Sequence, residues 1–257
     1  MFLLQATTNL VNLSIAKPPD VQNIFRCRPT GKYKSNTYLN NINSALNTVA
    51  TNIAAKKGFF HTTAGKFDQV HAVGLCPPYL KPDACSLCIK NSIKWLLSNC
   101  PDDKEAYVWT GKCMLRYSDR KIVGVLDNWD VAIDTSPTSV PKGAEMEKAL
   151  TDLVGKLKKQ AAGGSAVEKF AYGSLKYASG VPVNTVHVAV QCTPDLSKED
   201  CSKCLSAGPF VKLHACCSGK KSGRLCGPNC YVSTRLRFQV SDFFAKLAPR
   251  LLPMSYQ

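Results

Sequence analysis

The sequence predicts an α+β protein built as two tandem disulfide-stapled domains, each an antiparallel β-sheet packed against two α-helices. Two observations carry this. The first is a repeat written in cysteines. Cys76 and Cys192 lie 116 residues apart, as do Cys85 and Cys201, Cys88 and Cys204, and Cys100 and Cys216, while Cys113 and Cys230 lie 117 apart. Five cysteines recurring at one offset mark a tandem duplication with units of ordinary domain size. The second is that helical and strand-like hydrophobic patterns alternate in the same order inside both units.

The elements follow in order. In the first unit Leu39, Ile42, Leu46, Val49 and Ile53 recur at helical spacing, with Gly58 as a stop. "KFDQVHAVGLC" then places Val70, Ala72 and Gly74 on one face of a strand. Pro82 and Asp83 start a second helix with an apolar stripe of Leu87, Ile89, Ile93, Leu96 and Leu97. "AYVWTGKCMLRYSD" supplies the closing strands. In the second unit Met146, Leu150, Leu153, Val154 and Leu157 form the first helix, closed by Gly163-Gly164. "VNTVHVAVQC" is the next strand. Ser197, with Asp200 three residues on, caps a helix that Gly208-Pro209 should kink or break. "CYVSTRLRFQV" alternates through Val232, Thr234, Leu236, Phe238 and Val240 as the last strand. The expected boundaries are a partial signal peptide at 1–16, a first domain at 20–132, a linker at 133–143 in "IDTSPTSVPKG", and a second domain at 144–245. The leader reading rests on a moderately apolar start ending in Ser14-Ile15-Ala16, without a basic n-region.

Charge narrows the partners. Lys and Arg number 33 against 18 Asp and Glu, a formal net charge of +15, which attracts polyanions without choosing among them. No run of 18 apolar residues exists, so no membrane span is expected. Arg235 and Arg237 with Phe238, and Phe59-Phe60, are basic or aromatic clusters, yet alternating Arg on a strand reads as a solvated face, and no nucleic acid is expected. Thirteen cysteines point to an oxidising compartment. Taken alone, each C-x-x-C (Cys85 to Cys88, Cys201 to Cys204) fits a zinc knuckle, a thiol-disulfide redox pair or a disulfide framework. The four histidines do not follow the repeat, so no metal and no cofactor is expected. The six cysteines of the first unit permit fifteen pairings. No phosphate loop, H-E-x-x-H or nucleophile–base order is present, so the chain is not expected to be an enzyme; C-x-x-C oxidoreductase chemistry is the one catalytic alternative.

C-x8-C-x2-C, repeated with a cysteine twelve residues later and another twenty-five later, resembles the plant cysteine-rich secretory repeat, the salt-stress-response/antifungal domain typified by ginkbilobin. "VQCTPDLSKEDCSKCL" (Val190 to Leu205) and "CCSGKKSGRLCGPNC" (Cys216 to Cys230) are similar to the family's second repeat. The resemblance implies bridges Cys76–Cys85, Cys88–Cys113 and Cys27–Cys100 in the first unit, and Cys192–Cys201 and Cys204–Cys230 in the second. The repeat offset puts Gly143 where a counterpart of Cys27 would stand. Cys216, Cys217 and Cys226 remain as an odd set. Cys226 is expected to close on Cys216 or Cys217, with the last thiol free or bridging two chains as a homodimer.

The family is known for mannose binding through an Asn after the first cysteine, an Arg six before the last and a Glu five after it. The first unit has Arg28, Tyr107 and Ser118 at those places, and none matches. The second has Arg224 at the Arg place and Arg235 at the Glu place, so Arg224 is the single candidate carbohydrate residue. The function expected is that of a secreted, apoplastic, non-enzymatic binding protein of stress, defence or wall-linked signalling. Its expected partners are carbohydrate or acidic wall or microbial polysaccharide, with receptor-like protein ectodomains as the alternative.

Overall fold

The computed structural model describes residues 23–127, 130–140, 142–177, 184–207 and 213–238. The leader expected at 1–16, the helix break at Gly208-Pro209 and residues 239–245 of the second domain lie outside them. In the first unit, β1 (Ile24–Cys27), α1 (Asn36–Asn52), β2 (Phe59–Ala64), β3 (Val70–Leu75), α2 (Pro82–Asn99), β4 (Ala106–Trp109) and β5 (Met114–Ser118) follow in order. The second unit repeats the plan with β6 (Ala132–Thr135), α3 (Ala144–Ala162), β7 (Phe170–Tyr177), β8 (Asn184–Cys192), α4 (Lys198–Ser206), a short α5 (Leu213–Cys217), β9 (Ser222–Cys226) and β10 (Cys230–Phe238). Each unit forms one five-stranded sheet with antiparallel neighbours, in the orders β1-β4-β5-β3-β2 and β6-β9-β10-β8-β7.

Local chemistry sets the helix ends. The Ser35 hydroxyl accepts from the amides of Thr37 and Tyr38 at 3.1 and 3.4 Å and caps α1. Pro82 sits in the first turn of α2, where its missing N–H costs nothing. Ser197 accepts from the Asp200 amide at 2.9 Å, as its spacing predicts. Ile42, Leu46 and Val49 of the first helix, Ile53 at its C-cap, and Ile89 and Leu96 of the second are buried against Val70, Ala72, Val108 and Leu115. In the second unit Met146, Leu150, Leu153 and Leu157 cover Val186, Val188, Val190 and Val232. A Cβ at Gly74 would lie 2.5 Å from a Val49 methyl carbon, so glycine lets α1 settle directly on β3. Leu87, expected in the apolar stripe of α2, instead faces solvent at 58% exposure.

Two further expectations change. The stretch 133–143 begins inside a strand, because β6 pairs with β9 along Ala132–Thr135 and forms the edge of the second sheet. Cys27 pairs with Ala106, and Thr135 pairs with Gly223, one repeat along. Thr135, eight residues before Gly143, therefore occupies the place of Cys27 in the second unit.

The sheet faces turned away from the helices meet in a seam between the units. Ile24, Val73, Leu75, Trp109, Met114, Ile122, Ala132 and Cys226 form its apolar core. The Trp109 ring stacks on Tyr231 with centroids 4.9 Å apart, and its indole N–H donates to the Gly227 carbonyl at 2.7 Å. The Tyr107 hydroxyl lies 2.6 and 2.9 Å from the carbonyls of Asp130 and Cys226. The Asp127 amide donates to Asn229 Oδ1 at 3.0 Å. The connector carrying Ile122 and Asp127 crosses the outer face of the first sheet. There Arg28, Arg116 and Arg120 close on the buried carboxylates of Glu105 and Asp127.

Candidate functional site

Six disulfides hold this frame. They join Cys27–Cys100, Cys76–Cys85, Cys88–Cys113, Cys192–Cys201, Cys204–Cys230 and the neighbours Cys216–Cys217. Each C-x-x-C is split between two bridges, its two cysteines lying one turn apart along the helix and reaching different strands. Cys85 staples the end of β3, and Cys88 reaches the β4–β5 turn. That leaves no dithiol at either helix start.

Cys226 does not close on Cys216 or Cys217 as expected; it is buried and unpaired. The reason is the pleat of β9. Cys226 points into the seam between the units, while Gly223 passes on the opposite, helix-facing side, where a Cβ would lie 2.4 Å from the Cys217 sulfur. With Thr135 in place of the missing cysteine, Cys216 has its neighbour as partner. Burial pushes the Cys226 thiol well above its ordinary range, so it is inert in the native protein. Thiol titration without reductant should therefore read zero in native protein and one thiol per chain under denaturant. Three would show Cys216 and Cys217 to be reduced.

The outer face of the second sheet is covered only in part. Its seam half carries Ala132, Cys226 and Tyr231. Beyond them the face opens into a groove of about 880 Å3. Alternation along the strands brings Asp134, Arg224, Ser233, Arg235, His187 and Tyr172 to it. Arg224 is held rigidly: its Nε donates to Asp134 Oδ2 at 3.0 Å, and its Nη2 bonds to the same oxygen. The Tyr172 hydroxyl and His187 Nδ1 are 2.8 Å apart, with the two rings nearly parallel. Tyr172 is nevertheless 57% exposed, leaving an open aromatic face beside fixed polar groups. Tyr79 and Gly111 of the first unit complete the wall, and Tyr79 packs on Phe170 at 5.7 Å. The groove thus draws on both halves of the duplication.

Arg224 and Arg235, placed by the sequence resemblance at two of three ligand positions, both line this groove, and so does Ser136, which follows Thr135. In the first unit the matching positions are used up by the fold. Arg28 is tied to Glu105, Tyr107 is buried in the seam, and Ser118 is buried under Arg120. Sequence reasoning missed Asp134, Tyr172, His187 and Tyr79. Asp134 was assigned to the linker, and Tyr172 lies on an edge strand whose alternation is broken by Gly173. His187 carried a signal, since it is the polar member of an otherwise apolar alternation in "VNTVHVAVQC". Among the described residues, the one cluster with metal-ligand spacing is Cys27, Cys100 and Asp103. Its two sulfurs are already bonded to each other, so these residues do not fit a metal ion.

Fold and bridges together define a tandem, disulfide-stapled α+β module in which a five-stranded sheet and two long or medium helices recur. The salt stress response/antifungal family matches residues 26–120 and 134–237, and the chain belongs to that family. Cysteine-rich receptor-like protein kinase 27 of Arabidopsis thaliana is 33% identical over 216 residues, covering 83% of this chain and 32% of the kinase. Kinase 29 of the same plant is 31% identical, covering 86% of this chain and 32% of that protein. The chain spans about a third of the length of these two relatives. Among solved structures, the tandem DUF26 ectodomain of the Arabidopsis thaliana cysteine-rich receptor-like protein PDLP8 aligns with a TM-score of 0.66 at 24% identity, covering 82% of this chain and 96% of that one. The corresponding ectodomain of PDLP5 aligns at 0.63 and 23%, covering 82% and 97%. These two establish the fold. No helix among the described residues is long and apolar enough to cross a membrane.

Proposed function

We propose that the chain is a non-catalytic, extracellular recognition module of the plant apoplast or cell surface, serving stress or defence, and that its ligand site is the groove on the second sheet, which takes a carbohydrate. The observation that carries this is the pairing of an exposed aromatic, Tyr172, with polar groups already fixed by their neighbours, Arg224 on Asp134 and His187 on Tyr172. Sugars present an apolar face of C–H groups and a rim of hydroxyls. A flat ring and preoriented donors and acceptors suit both, at little ordering cost. The disulfide frame suits an oxidising compartment, and the family and its receptor-like relatives support the extracellular setting.

A panel of plant-wall and microbial glycans tests the reading. Tyr172→Ala should weaken the best ligand by about tenfold or more, roughly 1.4 kcal/mol, while its exposed position leaves folding unchanged. Unchanged affinity, or no binding by the native protein anywhere on the panel, would remove the groove as a carbohydrate site.

A further inference from the structure

We propose that the groove takes an acidic oligosaccharide, with one uronate carboxylate held by Arg235 beside Arg224 and a further sugar ring lying across the seam on Tyr79 and Phe170. The inference deepens the carbohydrate reading above and rests on it.

Three features lead there. The first is charge. Among the described residues, Asp134 is the one acidic side chain lining the groove, and Arg224 already occupies it. Arg235 is exposed on the same face and has no ion-pair partner among the described residues. The groove therefore holds one uncompensated cation in a concave site, which favours an anion there. A guanidinium takes a carboxylate through two parallel hydrogen bonds, a geometry that a neutral sugar hydroxyl cannot return.

The second is size. About 880 Å3 lies near the upper end of the roughly 300–1,000 Å3 of small-molecule sites, more than one sugar ring fills. The third is the far wall. Tyr79 is 69% exposed although its ring packs on Phe170. It comes from the loop between β3 and α2, anchored on both sides by the Cys76–Cys85 bridge. An aromatic held out from a stapled loop, over the other unit's sheet, is placed to extend the site beyond the Arg235 end. Cation and aromatics are then separate stations along one groove, and a chain of several sugars with carboxylates is the ligand that uses both.

The test measures binding of the full chain to oligogalacturonides of one to six residues, to their neutral methyl esters, and to polyglutamate as an anion without sugar rings. The acids should bind with affinity rising over the first few residues, and the esters should bind at least about tenfold more weakly. Arg235→Gln should erase the preference for acid over ester. Tyr79→Ala should weaken the longer acids and leave the monosaccharide unchanged. Equal binding of acid and ester would overturn the acidic class while leaving the carbohydrate reading in place. Equal binding of polyglutamate would reduce the effect to the surface charge of +15. A Tyr79→Ala protein with unaltered length dependence would overturn the two-unit site, and failure of every sugar, acidic or neutral, would take the carbohydrate reading with it.

Discussion

Arg116→Met should destabilise the protein by about 3 kcal/mol or more, although Arg116 does not line the groove. Arg116 is 1% exposed, and one of its Nη atoms donates to Glu105 at 2.5 Å and to Asp127 at 2.6 Å. Burial alone would raise the Glu105 carboxyl, but the Arg116 charge and hydrogen bond, with Arg120 and Arg28, hold it below its usual range. Asp127 behaves likewise: burial raises it, and Arg116 and Arg120 outweigh that. Removing Arg116 strands a carboxylate with no solvent exposure of its own, and Arg28 and Arg120, both partly exposed, recover only part of the loss. Because both folded-state values are depressed, the cluster's contribution is present above the ordinary carboxylate range of about 4 and disappears as pH falls through the lower folded values. The variant should therefore lose most stability at neutral pH, and its acid unfolding midpoint should move upward. Urea unfolding from pH 7 to pH 3 measures this. A loss at pH 7 below about 1 kcal/mol would show that the two outer arginines suffice.

How much of this could be read from the chain depends on which physical signal each part leaves. The duplication, the helices and the inner strands were legible because buried faces demand apolar residues at fixed periods: Ile42, Leu46 and Val49, or Val232, Thr234 and Leu236. The edge strands were not. β2 and β7 are edge strands with mostly half-buried or exposed residues, so "FFHTTA" and "FAYGSLKY" carry only a weak constraint. β1 and β6 have four residues each, too few to show alternation. The groove was half legible. Arg224 and Arg235 could be placed through the family resemblance, by counting back and forward from Cys230, whose bridge to Cys204 anchors the start of β10. Tyr79 and Asp134 could not, because they arrive from the other unit and from an unrecognised strand. The vicinal Cys216–Cys217 bridge and the buried Cys226 were illegible for a related reason. They follow from the loss of one cysteine at Thr135, and that place is visible only through strand pairing.

Trp109→Ala should cost about 3–5 kcal/mol and divide one unfolding transition into two. Both the size and the form of the effect follow from where the ring lies. Trp109 is on the face of β4 turned away from α1 and α2, so neither helix–sheet core loses a contact. What is lost is the stack on Tyr231, the hydrogen bond to Gly227 and the centre of the apolar seam. Paired domains move relative to one another unless their interface is extensive and apolar, and this substitution opens a hole where the interface is most apolar. Calorimetry with the disulfides intact should show a single endotherm in the native chain and two in the variant. A single endotherm at lower temperature would place Trp109 in the core of the first unit instead. The same variant reaches function through the seam, where Trp109 backs Tyr231 at the inner end of the groove. Tyr79 and Gly111 stand over the second sheet only while the units are fixed together, so a loosened seam carries one wall of the groove away. Affinity for long ligands should fall while the hold on a single sugar at Arg235 persists, which separates a seam effect from damage to the groove itself.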